Sequence, residues 1–160
     1  ASLRQHTAEL TRSSRSHRWE RALRLFEELL RSGPQPDLVA FNAAVSACEK
    51  GGQWAGALHL LAELRRRNLE PSIVTWSAAI SACDKGAQWQ MALGIFGGLR
   101  EGDLAPDIVA YGAAISACGK GDQCQRALAL LHESSQHCIE LDVISYNAAI
   151  TASEKGEQWE

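Results

Sequence analysis

The sequence predicts an all-α solenoid of 35-residue helix-turn-helix repeats. Three observations carry the prediction. The stretch PDLVAFNAAVSACEKGGQW, Pro36 to Trp54, returns as PSIVTWSAAISACDKGAQW from Pro71, PDIVAYGAAISACGKGDQC from Pro106 and LDVISYNAAITASEKGEQW from Leu141. The offset is 35 residues each time with no insertion, and self-similarity at a fixed period of this size marks a stacked array rather than one globular core. Within each period the apolar residues fall at helical spacing.

Composition agrees with an array and narrows its partners. At 160 residues and 46% hydrophobic the length suits one ordinary domain, but in a repeat stack each unit touches only its neighbours. A net charge of -3 argues against a uniformly basic surface, while local clustering can still build a polyanion site. No apolar run is long enough to span a bilayer. Cys48, Cys83 and Cys118 recur at the period and Cys124 and Cys138 do not. Equivalent positions on packed helices lie about 10 Å apart, too far for a disulfide or a shared zinc. Buried small hydrophobes in a reducing, intracellular compartment are expected. The opening ASLRQHTAELTRSSRSHR is rich in Arg and Ser with one acid, Glu9, a composition resembling an organelle transit segment. The chain lacks an initiator Met and stops inside a repeat, so it reads as an excerpt of a longer array, and its cut end gives no address.

Residues 1–37 form a worn first repeat. In its second half Trp19, Ala22, Leu23 and Phe26 make one apolar helix face, and Gly33 is expected to supply a left-handed closing turn. Its first half has Arg4, His6 and Ser13 where later repeats have Val39, Phe41 and Cys48, so a weak or frayed helix, or a polar terminal cap, is expected there. Full repeats occupy 38–72, 73–107 and 108–142. In the first of them one helix runs from about Val39 to Lys50 and stops at Gly51. A second runs from about Gln53 to Arg66 and presents Trp54, Ala57, Leu58 and Leu61. The residue after the second helix is Asn68, Asp103 or Cys138, matching Gly33. Asn and Asp tolerate the left-handed conformation and Cys has no such advantage, so the turn at Cys138 should be the least comfortable. Pro36, Pro71 and Pro106 then prevent the helix from continuing. Residues 143–160 supply a truncated repeat whose apolar face lacks its covering helix and should fray.

The first helix of each repeat carries the informative surface. At about 100° per residue, Phe41, Ala44, Val45 and Cys48 form one buried face. Val39, Asn42, Ser46 and Lys50 lie opposite. The same set returns as Val74, Ser77, Ser81, Lys85; as Val109, Gly112, Ser116, Lys120; and as Ile144, Asn147, Thr151, Lys155. Stacking aligns these into aliphatic, small polar, hydroxyl and cationic tracks. A solvated face accounts for Ser and Lys but not for a β-branched aliphatic residue repeated four times, which packing against the next layer could explain. A cation beside a flat apolar platform in every layer suits a ligand with one charge and one ring per step, namely single-stranded nucleic acid.

On these residues the chain resembles the pentatricopeptide repeat family over about residues 18–160. The carriers are the period, Pro-Asp before an aliphatic pair, Phe41-Asn42 and Tyr146-Asn147, Lys-Gly closing the first helix, and Ala-Leu in the second. The tetratricopeptide repeat has a period of about 34 and a different signature. The resemblance implies a right-handed α-solenoid that binds single-stranded RNA, one base per repeat, read by a short side-chain code. It implies base-reading roles for Asn42 with Ser72 (a pyrimidine, leaning to cytosine), Ser77 with Asp107 (guanine), and Gly112 with Asp142. Gly112 has no side chain to read with, so the third repeat should read poorly. Thr7 with Asp37 would imply guanine, and Asn147 a pyrimidine. Val39, Val74, Val109 and Ile144 match base-wedging positions, and Lys50, Lys85, Lys120 and Lys155 match phosphate-contacting ones. Four such contacts would give a log-log salt slope of about -3. Asp37, Ser72, Asp107 and Asp142 are equally good helix N-caps, so capping and base reading compete for the same groups.

Nothing else rises to a site. His6, His17, His59, His132 and His137 obey no period and pair with no Cys or Asp at ligand spacing, so no catalytic residue, metal or cofactor is expected. Trp19, Trp54, Trp89 and Trp159 fill the core rather than stack bases. The expectation is an RNA-binding, non-enzymatic array without membrane or small-molecule partners, in a mitochondrion or chloroplast by resemblance, and open to protein partners. The rivals are a protein-interaction scaffold on the same superhelix and, less favoured, a nuclease or editing enzyme with its catalytic domain elsewhere.

Overall fold

The computed structural model describes residues 2–157, so the expectation for Trp159 lies outside the described residues. The described elements are α1 (Leu3–Arg15), α2 (Trp19–Ser32), α3 (Leu38–Lys50), α4 (Trp54–Arg66), α5 (Ile73–Lys85), α6 (Trp89–Glu101), α7 (Ile108–Lys120), α8 (Cys124–Gln136) and α9 (Val143–Glu157), with no strand among them. The odd-numbered helices pack on one another in sequence, α1 on α3, α3 on α5, α5 on α7 and α7 on α9. Each of α2, α4, α6 and α8 instead bridges the two odd-numbered helices flanking it. The result is a two-layered solenoid in which one continuous inner wall is made of first helices.

The wall forms because its helices are apolar on the predicted side. Phe41, Ala44, Val45 and Cys48 are all buried, as are Trp76, Ala79, Ile80 and Cys83, and Tyr111, Ala114, Ile115 and Cys118. Burial pushes the thiols of Cys48, Cys83 and Cys118 up to about 11, so they behave as small hydrophobes. Aromatic pairs seal two layer boundaries, Phe26 on Phe41 at 5.1 Å and Phe96 on Tyr111 at 5.2 Å, both edge to face. In α9 the equivalents of Phe41 and Val45 are Tyr146 and Ile150, and both are exposed.

The recurring Lys-Gly-x-Gln-Trp corner has a tertiary explanation. Gly51, Gly86 and Gly121 cap their helices with ordinary negative φ of -88°, -81° and -92°, so backbone freedom does not demand glycine there. A side chain does. A Cβ would lie 2.5 Å from the Trp19 ring at Gly51, 2.4 Å from Trp54 at Gly86 and 2.5 Å from Trp89 at Gly121. Each tryptophan opens a second helix and lays its ring on the glycine of the next layer. The left-handed residue is the following one, His17, Gly52, Ala87 or Asp122, at φ 54° to 62°. Gln53, Gln88 and Gln123 then donate their side-chain amides to the carbonyls of Gly51, Gly86 and Gly121.

Two sequence expectations need correction. Gly33 is extended at φ -94°, ψ 178°, not left-handed, because a residue before proline is driven to the extended region and Pro34 has no N–H for the closing bond. Where the equivalent residues are Leu69 and Ile139, those amides bond the carbonyls of Leu64 and Ser134, and Asn68 and Cys138 are left-handed at φ 57°. The segment expected to be a weak or frayed helix, or a polar terminal cap, is not frayed: α1 is a largely polar 13-residue helix with a reciprocal Ser2–Gln5 capping box and basic Arg12 and Arg15 in its last turn. Those charges oppose the helix dipole, and Leu10, fully buried, anchors it to the stack.

Helix α6 is the richest in glycine of the described helices. Gly94 and Gly97 sit inside it, and a methyl group added to either meets nothing within 4 Å. Gly94→Ala combined with Gly97→Ala is expected to stabilise the chain by about 1–2 kcal/mol, read as a raised urea midpoint with unchanged cooperativity.

Candidate nucleic-acid interface

The aliphatic rungs stand clear of the layers. Val39 and Val74 are each 55% exposed, Val109 50% and Ile144 73%, although they occupy the first turns of α3, α5, α7 and α9. Packing therefore does not account for their recurrence. They share concavities with the polar tracks. Val39, Asn42, Ser46 and Lys50 line one hollow of about 280 Å³, and Val109, Gly112, Ser116, Asp142, Ile144 and Lys85 line another of about 500 Å³.

The polar positions are organised by the helix starts. Asp37 and Asp107 cap α3 and α7 through Oδ1, accepting from the N–H of Ala40 and Ala110 at 2.9 Å. Ser72 caps α5, and Asp142 Oδ1 accepts from Ser145 N–H at 2.9 Å. Capping does not compete with pairing across the layer boundary, because one atom does both. Ser77 Oγ donates to the same Asp107 Oδ1 at 2.9 Å, and Oδ2 of Asp107 is left facing outward without a hydrogen bond among the described residues. Asn42 Nδ2 donates to Ser72 Oγ at 3.4 Å. Thr7 does not reach Asp37 and instead donates to the Leu3 carbonyl at 2.8 Å. Asn147 is exposed on α9.

Gly112 faces Asp142 with no side chain between them. The gap is occupied by Ser145, whose Oγ donates to Asp142 Oδ1 at 2.7 Å and would sit 3.0 Å from a Cβ on Gly112. The Ser145 hydroxyl and amide together hold the Asp142 carboxyl below the usual carboxylate range. Sequence reasoning missed Ser145 and its counterpart Thr75. The available signal was a hydroxyl three residues after an N-cap, which in Thr75 is half of a capping box.

Lys50 and Lys85 line the hollows beside the aliphatic rungs, and each of the four lysines is tethered to the layer before it. Lys50 donates to the Ser14 carbonyl. Lys85 pairs with Glu49 at 2.6 Å, Lys120 with Asp84 at 3.0 Å and Lys155 with Asp122 at 3.5 Å. Cations without a carboxylate partner among the described residues lie instead on α1, where Arg4, Arg12 and Arg15 border a hollow of about 730 Å³ that also reaches Asp37 and Val39. Arg4 and Arg15 occupy the α1 positions equivalent to Val39 and Lys50. Among the described residues no three His, Cys, Asp or Glu side chains converge as a metal site, and no helix is long and apolar enough to cross a membrane.

Comparison with known proteins places this geometry. The PPR repeat family model matches residues 36–85, and the PPR repeat model matches 13–34 and 109–139, together more than half of the chain. Comparison with curated proteins returned no significant match. Among solved structures, pentatricopeptide repeat protein PPR10 in complex with an 18-nt psaJ RNA element is 32% identical at a TM-score of 0.78, over 98% of this chain and 23% of its own. PPR10 from maize gives 32% identity and 0.80 over 99% of this chain and 24% of its own. This chain thus spans about a quarter of those proteins. The PPR domain of Arabidopsis thaliana protein-only RNase P 1, in complex with tRNA, has the same fold at a TM-score of 0.81 and 14% identity, over 95% of this chain and 80% of its own. With family models covering most of the repeats and a stacked helix-pair architecture to match, the chain belongs to the pentatricopeptide repeat family.

Proposed function

We propose that the chain binds single-stranded RNA along the trough, one base per layer, and acts as the recognition part of an RNA-processing protein. The observation that carries this reading is the exposed aliphatic ladder flanked by polar pairs bonded across successive layers. Bases would lie between Val39, Val74, Val109 and Ile144, since stacking on a flat apolar surface is tolerant of sequence. The polar pairs would then meet the Watson–Crick edges of unstacked bases. Asn42–Ser72, Ser77–Asp107, Asp142 beside Gly112, and Asn147 are the proposed base contacts. The RNA-bound PPR10 structure supports the assignment, and by family resemblance the setting is a mitochondrion or chloroplast. The role proposed is recognition without catalysis, although the RNase P neighbour carries such repeats in an enzyme.

The ion pairs refine the electrostatics. Lys85, Lys120 and Lys155 reach phosphate either through the remaining N–H groups of an ammonium already paired or by exchanging the carboxylate, which is inexpensive because exposed pairs contribute about 0–1 kcal/mol. The acids nevertheless remain beside the backbone path. The salt slope should therefore be shallower than the value of about -3 that four free lysines would give, with Arg4, Arg12 and Arg15 supplying much of it. Glu49→Gln is expected to tighten RNA binding by about 2–5-fold at low salt, since it frees Lys85 and removes a like charge, and the gain should vanish as salt screens it.

Binding selection from a random RNA pool, followed by competition with duplex RNA, tests the proposal. Enrichment of a short single-stranded motif is expected. Recovery of no motif, with binding to peptides instead, would favour a protein-interaction scaffold, the reading to which the charge-compensated lysines lend weight.

A further inference from the structure

Behind each of three proposed base-contacting groups lies a buried hydroxyl. Ser77 is 4% exposed behind Asp107, Ser145 is 4% exposed behind Asp142, and Thr75 is fully buried behind Asn42. Ser77 sits at a position the family resemblance assigns to reading. Thr75 and Ser145 do not; both are the third residue of the following helix. Building on the RNA-binding reading, we infer that Thr75 and Ser145 are specificity-determining positioning residues, which fix the atoms that Asn42–Ser72 and Asp142 turn toward the base.

The argument follows the protons. Thr75 Oγ1 accepts from the Ser72 backbone N–H at 3.2 Å and has one proton of its own to give. It gives that proton to Asn42 Oδ1, so the oxygen of the Asn42 amide must point inward. Asn42 Nδ2 then faces Ser72 Oγ, which also accepts from the Thr75 N–H. The Ser72 hydroxyl lies 3.2 Å from Thr75 Oγ1, whose own proton is already given, so Ser72 donates inward and the pair turns one donor to the trough, the second N–H of Asn42. That donor suits the N3 acceptor of cytosine, whereas uracil presents a donor at N3. Without the Thr75 hydroxyl the amide can flip, and the distinction between these bases is lost.

Ser145 does the equivalent for an acidic reader. Its hydroxyl reaches Asp142 Oδ1 just as the Ser77 hydroxyl reaches Asp107 Oδ1, but it comes from the capped helix itself rather than from the preceding layer. Gly112 leaves the room for it. Asp142 therefore keeps an acceptor-only outer face and prefers an edge with donors, as on guanine. The layer expected from Gly112 to read poorly reads like its neighbour.

The test is competition binding of the whole chain to eight-nucleotide single-stranded RNAs that differ at one position, at low salt. The unaltered chain is expected to prefer cytosine over uracil opposite Asn42–Ser72 and guanine opposite Asp142. Thr75→Val should reduce the cytosine-to-uracil ratio about tenfold and leave the guanine preference opposite Asp107 in place, while Thr75→Ser restores the ratio. Ser145→Ala should reduce only the preference opposite Asp142. A second readout needs no RNA. The Asn42 side-chain amide protons should exchange faster with solvent in Thr75→Val than in the unaltered chain. Discrimination that survives both variants, or amide exchange unmoved by Thr75→Val, overturns the inference alone. An unaltered chain that distinguishes no base overturns the RNA reading and the inference with it.

Discussion

Gly86→Ala is expected to destabilise the array by about 1–3 kcal/mol, the range for overpacking a filled site, although the backbone at Gly86 suits any residue. The added methyl would lie 2.4 Å from Trp54 Cδ1 and 3.0 Å from Cγ, so the indole must leave the groove or the layers must part. Trp54→Leu alone should also destabilise, because it uncovers the corner. The informative experiment is the double-mutant cycle. In the Trp54→Leu background the alanine should cost far less, giving a coupling of about 1–3 kcal/mol in urea midpoints. Additive effects would mean that the ring does not hold the glycine. Because stability in a stack is summed over neighbouring interfaces, the damage should concentrate between α4 and α5 and appear as faster amide exchange there.

Asp107→Asn is expected to change base preference with little change in stability. Asparagine caps helices about as well as aspartate, so α7 should keep its start, with the Ala110 N–H still capped. The outward face changes chemistry, however. A carboxylate that accepts from the N1–H and N2–H of guanine becomes an amide able to donate to N1 of adenine. A shift of about 10–100-fold in the guanine-to-adenine ratio is expected, from about 1–3 kcal/mol per discriminating contact, read by competition binding with RNAs varied at that position. Preference that stays on guanine would show that Asp107 does not face the base. A parallel loss of thermal stability would instead assign it to the cap alone.

Much of this architecture was written in the repeat. An offset of 35 residues and the angular positions of Phe41, Val45 and Cys48 were enough to place the first helices within a residue or two and to bury the correct face. The same wheel put Val39 and its equivalents on the open side. The misreadings came where local residue types were judged apart from their neighbours. Gly51 looked like a conformational stop, and Gly33 like a left-handed one. α1 looked too polar to hold, because its capping box and the single anchor Leu10 count for more than its average hydropathy.

Periodicity, helix faces and cap residues are properties of one segment and its own backbone, so the order of residues alone specifies the stacked helices and their outward track. Contacts between layers join residues about 30 to 36 apart whose pairing has no local signature. Folding was needed to reveal that a tryptophan demands the next glycine, that carboxylates already hold three of the four lysines, and that buried Thr75 and Ser145 stand behind the exposed polar groups. Those features arise from which side chains meet when one layer closes on the next.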